Sequence, residues 1–409
     1  MVTVCKEKQA FTYLRKLPLL NFTCSLYPNL NLNDIYIICA QHLVSTTYSL
    51  FHTLLQLGLN PSNLSAIGKC YSTDPTAVIE MQKLGLDICS TSLNFDSHLS
   101  FDQQYYQNIK KFVRKRIKKI ENSKFKKIIV LDDGGELLSE INSKLQNSLK
   151  IIGIEQTSSG YEKIKKQNLN FPVINLARSA AKLNHESPII AKLVCNCLTE
   201  SLKNLSLKPG NALIIGNGSI GSHISTLLKK THEVHVFDKN STKSDIQLED
   251  LKNSLKIFDL IIGCTGAPVL SIPEINLLKK DVLLVSASSS DREFNANELR
   301  KKIPPVSDCH KHLFINNKWL INCGFPINFS SQFRTIDCDE LQLTRSLLLA
   351  SILQAVSNVD NSKTGFIPLN INNQEDILKN YYTLYQKETP KDINNTFYLN
   401  RSNYEYHLL

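Results

Sequence analysis

A glycine-rich hexapeptide near the middle of the chain carries the clearest chemical signal in the sequence. It comprises Gly216, Asn217, Gly218, Ser219, Ile220 and Gly221. It follows the apolar run 211–215, opens a helix-like segment, and precedes a second apolar run that ends at Asp238. This arrangement is typical of dinucleotide-binding βαβ units, in which backbone N–H groups at the helix start bind a pyrophosphate. A glycine-rich structural turn is the alternative.

Each glycine of the hexapeptide has its own physical role in such a unit. Gly216 permits the tight turn, Gly218 lets the backbone approach the pyrophosphate, and Gly221 lets helix and strand pack closely. The other predicted contacts of this loop are Ser219 and Ile220. Asp238 would accept hydrogen bonds from ribose hydroxyls and repel a 2′-phosphate, so the sequence predicts NAD rather than NADP.

A second group of polar residues lies just beyond strand-like runs in the first half of the chain. They are His42 after 34–40, Asp132 and Asp133 after 127–131, residues 155–159 after 150–154, and Lys182 after 173–176. Open α/β sheets bind ligands at the carboxyl ends of their strands, so this shared placement predicts a ligand site. Taken singly, each residue could instead be a helix cap, a turn residue or a surface lysine.

The elements that position these residues alternate between apolar strands and helices. Further helices are predicted over 42–58, 74–84, 136–148 and 183–206, and further strands over 64–69, 258–264, 280–286 and 313–323. The alternation predicts an α/β fold with two Rossmann-like, doubly wound parallel-sheet domains plus a C-terminal tail. The predicted divisions are a substrate domain over 1–185 with 329–360 returning to it, an NAD domain over 190–328, and a tail over 361–409.

The composition excludes mainly disordered, collagen-like and coiled-coil chains. Of 409 residues, 42% are hydrophobic and 21% charged. No apolar run reaches the roughly 18 residues of a membrane helix, and the first residues lack a secretory signal core. A cytoplasmic protein without membrane contact is therefore expected. The eleven cysteines follow no zinc-type spacing, so no metal site is predicted.

Part of the +10 net charge lies in the basic stretch 109–127. A nucleic-acid or anionic membrane surface is one interpretation. Apolar residues at near-helical spacing favour the other, a helix with a solvated basic face. These residues are Ile109, Phe112, Val113, Ile117 and Ile120. No nucleic-acid motif accompanies the stretch, so no nucleic-acid partner is predicted.

Several segments together resemble one known family. They are LDDGGEL (131–137), GIEQTSSG (153–160), VINLARSAAK (173–182), GNGSIG (216–221), CTGAPVL (264–270) and NYEY (403–406). In order and spacing they are similar to the S-adenosylhomocysteine hydrolase (adenosylhomocysteinase) family. The resemblance implies a tail that reaches the NAD site of a partner protomer, and hence a homo-oligomer, a tetramer or a dimer.

The resemblance also implies a reaction on a nucleoside thioether. Its steps are 3′-oxidation by bound NAD, elimination of the 5′-thiolate, water addition and re-reduction. By position, Lys182 matches the residue at the 3′-hydroxyl, and Asp133 matches the aspartate of the C4′–H and water steps. His42 matches the histidine after the first strand, and Glu186 stands where the family has an aspartate. The resemblance assigns further NAD contacts to Thr157, Ser158, Ser159, Thr265, Asn322 and Tyr404.

The differences from the family cluster on predicted substrate contacts. Gln156 replaces the carboxylate that holds the ribose hydroxyls, and Thr47 stands at one of the adenine-reading positions. Ser289 begins the segment that replaces the gating His-Phe pair, and Phe325 replaces a histidine near the adenine. The implied substrate is S-adenosylhomocysteine or a related nucleoside. A regulatory or assembly-forming NAD-binding homologue and an unrelated two-domain NAD dehydrogenase are the alternatives.

Overall fold

The computed structural model describes residues 14–121, 125–145, 150–329, 340–357 and 364–385. These residues form two compact units, each with its own sheet. The first unit takes the described residues of 1–93, 108–186 and 337–409, and the second takes those of 94–107 and 187–336. No helix in the described ranges is long and apolar enough to cross a membrane.

The first unit is built on a seven-stranded, fully parallel sheet. Its strands are β1 (Ile35–Ala40), β2 (Leu64–Ile67), β3 (Asp87–Ile88), β4 (Lys127–Asp132), β5 (Ile151–Glu155), β6 (Pro172–Asn175) and β13 (Gly365–Pro368). Their spatial order is β13-β6-β5-β4-β1-β2-β3. The chain therefore switches direction across the sheet between β1 and β4, and ligands of such sheets bind at the carboxyl ends of the strands at that point.

Helices connect and cover the strands of the first unit. They are α1 (Pro18–Ser25), α2 (Ser45–Gln56), α3 (Pro75–Lys83), residues 108–121 of α4 (Phe101–Glu121), α5 (Glu136–Lys144), α6 (Ser158–Ile164), α12 (Gln342–Ser357) and α13 (Ile371–Leu384). Strands β1 and β5 are buried along their whole length, which explains why their sequences are apolar apart from Glu155 at the end of β5. Helix α12 packs against α1, α2 and α13, and most of its side chains are buried.

The second unit contains a six-stranded sheet with the order β11-β12-β10-β9-β7-β8. Its strands are β7 (Asn211–Ile215), β8 (Glu233–Phe237), β9 (Leu260–Gly263), β10 (Leu283–Ser286), β11 (Leu313–Ile315) and β12 (Lys318–Leu320). All neighbours are parallel except β11 and β12. Its helices are α7 (Ser187–Leu205), α8 (Ser219–Leu228), α9 (Leu248–Ser254), α10 (Ile272–Leu277) and α11 (Ala296–Arg300).

The predicted α/β class with two Rossmann-like parallel sheets is confirmed. The division of the chain differs in two places. Residues 94–107 belong to the second unit, and the described part of the expected tail supplies β13 and α13 to the first unit. The polar stretch joins the first unit through the apolar residues within it: β13 has the sequence GFIP and pairs with β6 at an edge of the sheet, and α13 buries Ile377 and Leu378.

Two element boundaries also differ from the sequence prediction. The single strand expected over 313–323 is a hairpin, because Asn316 and Asn317 both adopt left-handed backbone conformations between β11 and β12. The helix expected over 183–206 is confirmed, but its first turn, Lys182–Glu186, is a wider π-helical turn that continues into α7 at Ser187. Such turns inside helices are frequent at functional sites.

The basic stretch forms most of α4, which confirms the predicted helix. Ile109, Phe112, Val113 and Ile120 are buried along one face. Arg116 is also buried, and its guanidinium donates hydrogen bonds to both carboxylate oxygens of Asp87.

Candidate functional site

The carboxylate of Asp133 is the centre of a polar cluster at the switch point of the first unit. Asp133 follows β4, and His42 follows β1, the strand next to it. His42 Nε2 lies 3.2 Å from Asp133 Oδ2. Gln156, which follows β5, donates through Nε2 to the same oxygen, and Lys69 Nζ donates to Asp133 Oδ1. The loops after four strands therefore converge on one carboxylate.

The structure brings together His42, Asp133 and Gln156, as their positions after strands predicted. It adds Lys69 and Ser72, which the sequence reasoning missed. Lys69 was placed inside a strand expected over 64–69, but β2 ends at Ile67. With that shorter strand, the same strand-end rule would have selected Lys69. Ser72 lies in a short 3₁₀ turn that has no periodic pattern.

The contacts within the cluster determine the protonation states of Asp133, Lys69 and His42. Burial alone would raise the pKa of Asp133, but Lys69 and His42 outweigh burial and hold it well below its usual range. Burial acts to lower the pKa of Lys69, yet the adjacent Asp133 carboxylate outweighs burial and raises it. Burial lowers the pKa of His42 despite the opposing effect of Asp133. Asp133 and Lys69 are thus a buried ion pair beside a neutral imidazole.

Asp132 and Glu155 form a pair of carboxyl groups next to this cluster. They are the last residues of the neighbouring strands β4 and β5. They are register partners in the β4–β5 ladder, and both are fully buried. Asp132 Oδ1 and Glu155 Oε2 have no hydrogen-bond partner among the residues that the structure describes. Burial raises the pKa of Asp132 to about 7 and, together with Asp132, raises the pKa of Glu155 well above its usual value. The pair therefore retains a proton at neutral pH.

Glu155 also organises the loop that carries the predicted NAD contacts of the first unit. Glu155 Oε1 accepts hydrogen bonds from the backbone N–H and the hydroxyl of Thr157, at 2.7 and 2.6 Å. Thr157 caps α6 by accepting from the N–H of Gly160, and its hydroxyl lies 3.5 Å from that of Ser159. Ser158 is exposed at the first position of α6.

Lys182 and Glu186, which are both predicted catalytic residues, form an ion pair within the π-helical turn. Lys182 Nζ lies 2.7 and 2.8 Å from the two carboxylate oxygens of Glu186. Helix α13 supports the turn, because Gln374 accepts a hydrogen bond from the N–H of Ala181 at 3.2 Å. The hydroxyl of Tyr382, on the same helix, lies 2.7 Å from Nδ1 of His185.

The glycine-rich loop of the second unit has the geometry of a dinucleotide cradle. Gly216 has a φ of +103°, which disfavours any other residue. A Cβ on Gly221 would lie 1.9 Å from the Gly216 carbonyl oxygen, whereas a Cβ on Gly218 meets no heavy atom of the described chain within 4 Å. Ser219 and Ile220 begin α8. The backbone before α8 is therefore open to a ligand at Gly218 and closely packed at Gly221.

Asp238 stands directly after β8, as predicted. Its carboxylate accepts hydrogen bonds from the N–H groups of Asn217 and Asn240, at 2.6 and 2.9 Å. Each oxygen accepts one of these bonds and keeps capacity for another donor. The side chain is thus fixed beside the glycine-rich loop.

Thr265 and Asn322 occupy loops at the carboxyl ends of β9 and β12 in the second unit. Glu293, which the sequence reasoning missed, accepts hydrogen bonds from the N–H groups of Thr265 and Gly266, at 2.8 and 2.7 Å. Asn322 is fully buried and has a φ of +54°. Its Oδ1 has no hydrogen-bond partner among the described residues. Strain and an unused acceptor of this kind are typical of ligand-binding positions.

The other predicted substrate contacts are Thr47, Phe325 and Ser289, and the first two are buried in the structure. Thr47 is buried, and its hydroxyl donates to the His42 carbonyl oxygen at 2.5 Å, so it positions the loop of His42. Phe325 is fully buried and packs against Phe95 and Phe101 in the second unit. Ser289 is half-buried in the loop after β10.

Tyr404, the predicted tail contact to NAD, lies outside the described residues. Within the described ranges, no group of three or more His, Cys, Asp or Glu side chains is arranged to hold a metal ion.

Relatives of the chain occur in Mycobacterium tuberculosis. No protein-family model matches the chain. Two proteins of that organism are 38% identical to it over 361 residues, which are 87% of this chain and 71% of theirs. They are named Uncharacterized protein MT0113 (strain CDC 1551 / Oshkosh) and Uncharacterized protein Rv0104 (strain ATCC 25618 / H37Rv). The chain belongs to their family.

Solved structures are similar to the chain at a lower level. A dipicolinate synthase structure from Bacillus halodurans has 9% identity and a TM-score of 0.40, over 80% of this chain and 100% of that chain. NAD⁺-bound 3-phosphoglycerate dehydrogenase from Entamoeba histolytica has 10% identity and a TM-score of 0.38, over 81% and 99%.

Proposed function

We propose that the chain is an NAD-dependent enzyme of the adenosylhomocysteinase type, which cleaves a nucleoside thioether. The observation that carries the proposal is the buried cluster at the switch point of the first unit. It places His42 within 3.2 Å of Asp133, and these are two residues to which the sequence resemblance assigns the reaction. A buried ion pair that is costly to assemble supports a functional role for this cluster.

The residues of the second unit fit NAD. Gly218 leaves open the space that a pyrophosphate needs, and Asp238 is oriented beside the same loop. Bound NAD would supply the hydride acceptor for oxidation of a substrate hydroxyl. Thr265 and Asn322, from neighbouring loops, would orient the cofactor.

Side chains of the first unit would handle the protons. Lys182 donates to Glu186, and this carboxylate orients the amine that would take the proton of the 3′-hydroxyl. The Asp133 cluster would serve the C4′–H and water steps. Gln156, at the position that the resemblance assigns to the ribose hydroxyls, would hold Asp133 in place for the substrate through its Nε2 hydrogen bond.

The test is turnover by the purified full chain, loaded with NAD. S-adenosylhomocysteine and related nucleoside thioethers would be supplied, and the released nucleoside and thiol followed by mass spectrometry. We expect both products, and we expect Lys182→Ala to abolish them. Lys166→Ala, which changes an exposed lysine of the first unit, is the matched control. Full turnover by the Lys182→Ala variant would refute the assigned role.

A catalytically impaired NAD-binding homologue with a regulatory or assembly role is the second candidate. It is favoured by the three donors that already occupy the Asp133 carboxylate, which make it a weak base. NAD that co-purifies with the protein but shows no change in absorbance at 340 nm with any nucleoside would support this candidate over the enzyme.

We also propose that the chain assembles as a dimer or tetramer, with Tyr404 in a segment that reaches a partner's NAD site. This proposal is supported by the sequence resemblance. Light scattering of the wild type tests the assembly, and NAD affinity of Tyr404→Ala tests the contact. A monomer at micromolar concentration would refute the assembly.

A further inference from the structure

The side chains of Lys69, Ser72 and His42 form a closed arrangement with the Asp133 carboxylate in the first unit. Lys69 and Ser72 belong to the same short turn, in which the Ser72 N–H and the Thr73 hydroxyl both donate to the Lys69 carbonyl oxygen. Lys69 reaches Asp133, and Ser72 reaches Nδ1 of His42 at 2.5 Å. His42 returns to Asp133 through Nε2. One turn therefore holds both the partner of the carboxylate and the partner of the imidazole.

We propose that Lys69 is a positioning residue that neutralises Asp133 and leaves the His42 imidazole, with Ser72 as its relay, as the proton-exchanging group of this cluster. The part that concerns substrate protons rests on the proposed function. The part that concerns charge and tautomer stands on the contacts alone. The sequence resemblance, in contrast, assigns the proton steps to Asp133 itself.

The hydrogen bonds that Asp133 accepts keep its carboxylate ionised. An ionised carboxylate accepts about four hydrogen bonds, and three donors from Lys69, His42 and Gln156 already occupy Asp133. The side chains of Lys69 and Asp133 are only 4% and 3% exposed. Protonating Asp133 would remove the carboxylate charge that stabilises the buried Lys69 cation, which is strongly unfavourable. Asp133 therefore remains an anion.

The ionised Asp133 carboxylate determines which ring nitrogen of His42 carries the hydrogen. An ionised carboxylate only accepts hydrogen bonds, so His42 Nε2 carries the hydrogen that points to Asp133. Nδ1 then holds the lone pair and accepts a hydrogen bond from the Ser72 hydroxyl. The charged groups that act on His42 are Asp133, Lys69 and Arg345, and the Tyr71 ring lies 6.3 Å from its own. The side chain of His42 is 14% exposed, more than that of Asp133.

The proton balance follows from this tautomer. A ligand C–H or O–H bond breaks, its electron pair stays on the ligand, and a new O–H bond forms at Ser72. The former Ser72 proton forms an N–H bond at His42 Nδ1. The product is an imidazolium next to the Asp133 carboxylate, which stabilises it. The reverse transfer returns the proton to the ligand or to water.

The test measures His42 directly, by NMR of histidine-labelled full-length protein with His42→Gln as the assignment reference. In the wild type we expect the Nε2–H tautomer. In Lys69→Met, Asp133 is no longer neutralised, so the pKa of His42 should move upward by about one unit or more. Lys69→Arg should retain the wild-type titration. An Nδ1–H tautomer in the wild type, or an unchanged titration in Lys69→Met, would overturn the proposal.

A double variant and a pH–rate profile provide two further tests of the Lys69 assignment. If Lys69→Met does not fold, the double variant Lys69→Met/Asp133→Asn removes both charges, and its His42 pKa should not rise. With an active substrate, Lys69→Met should also shift the acidic limb of the pH–rate profile upward. The expected titration without turnover on any nucleoside would support the Lys69 assignment and refute the proposed enzyme activity.

Discussion

Asp132 and Glu155 form a buried pair of carboxyl groups, so the stability of the first unit should decrease as the pH rises and they lose their protons. Asp132 accepts a hydrogen bond from the N–H of Leu138 at 2.8 Å, and its other oxygen faces no donor within the described chain. Asp132→Asn preserves the first bond and places an amide N–H₂ next to Glu155. We expect this variant to be more stable than the wild type at neutral and alkaline pH.

The magnitude follows from the pKa of Asp132, which burial raises from 3.8 to about 7. The folded state binds this proton more tightly than the unfolded chain. Stability from this group is therefore fully present below pH about 4, falls as the pH rises through about 7, and then levels off. A difference of about 3 units corresponds to about 4 kcal/mol, of which about 2.5 kcal/mol is lost between pH 5 and pH 8.

The assay is urea denaturation at several pH values, followed by circular dichroism. The free energy of unfolding of Asp132→Asn minus that of the wild type should increase by about 2.5 kcal/mol from pH 5 to pH 8. Asp34→Asn removes an exposed carboxylate of the same unit and serves as the control. Fluorescence of Trp319, the single tryptophan, reports the second unit and should not change. A pH-independent difference, or a variant that is less stable at pH 8, contradicts the reasoning.

Three other changes probe the second unit and the lysine turn. Gly218→Ala adds a Cβ that meets no described atom, so folding should be unchanged while NAD affinity, measured by calorimetry, falls at least about tenfold because the cradle is filled; unchanged affinity would contradict the cofactor site. Arg300→Met breaks a fully buried ion pair with Asp291, and Trp319 fluorescence should show a loss of about 3–5 kcal/mol in stability; a loss below about 1 kcal/mol would show that the pair is dispensable. Gln374→Ala removes the acceptor of the Ala181 N–H, so hydrogen exchange should accelerate in the Lys182–Glu186 turn and not in β7.

The sequence predicted the strands and the edge at which polar residues gather, because both depend on local patterns. His42 and Asp133 were identified in this way, since residues that follow adjacent parallel strands share one end of the sheet. Lys69 depended on where β2 ends, and a shift of two residues hid it. Strand boundaries are set by pairing with neighbours, which local composition does not encode.

Long-range contacts explain the remaining differences. Phe325 is a core residue because Phe95 and Phe101 pack on its ring, and no pattern near Phe325 indicates partners more than 200 positions earlier. Gln374 lies in a polar stretch without an apolar run, yet it is 1% exposed because its amide satisfies backbone groups of Ala181 and Leu369. Such residues are recognised only once the fold is known.

The discontinuous first unit has a consequence for how the chain is made. Its sheet lacks β13, and its interior lacks the buried helix α12, until residues near 384 have been synthesised. The second unit lies between these parts and, apart from 94–107, is one continuous segment. At ribosomal rates of roughly 5–20 residues per second, the strands β1–β6 wait about 10–40 s for their missing neighbours. During that interval the second unit can fold, whereas the first unit still lacks β13 and α12.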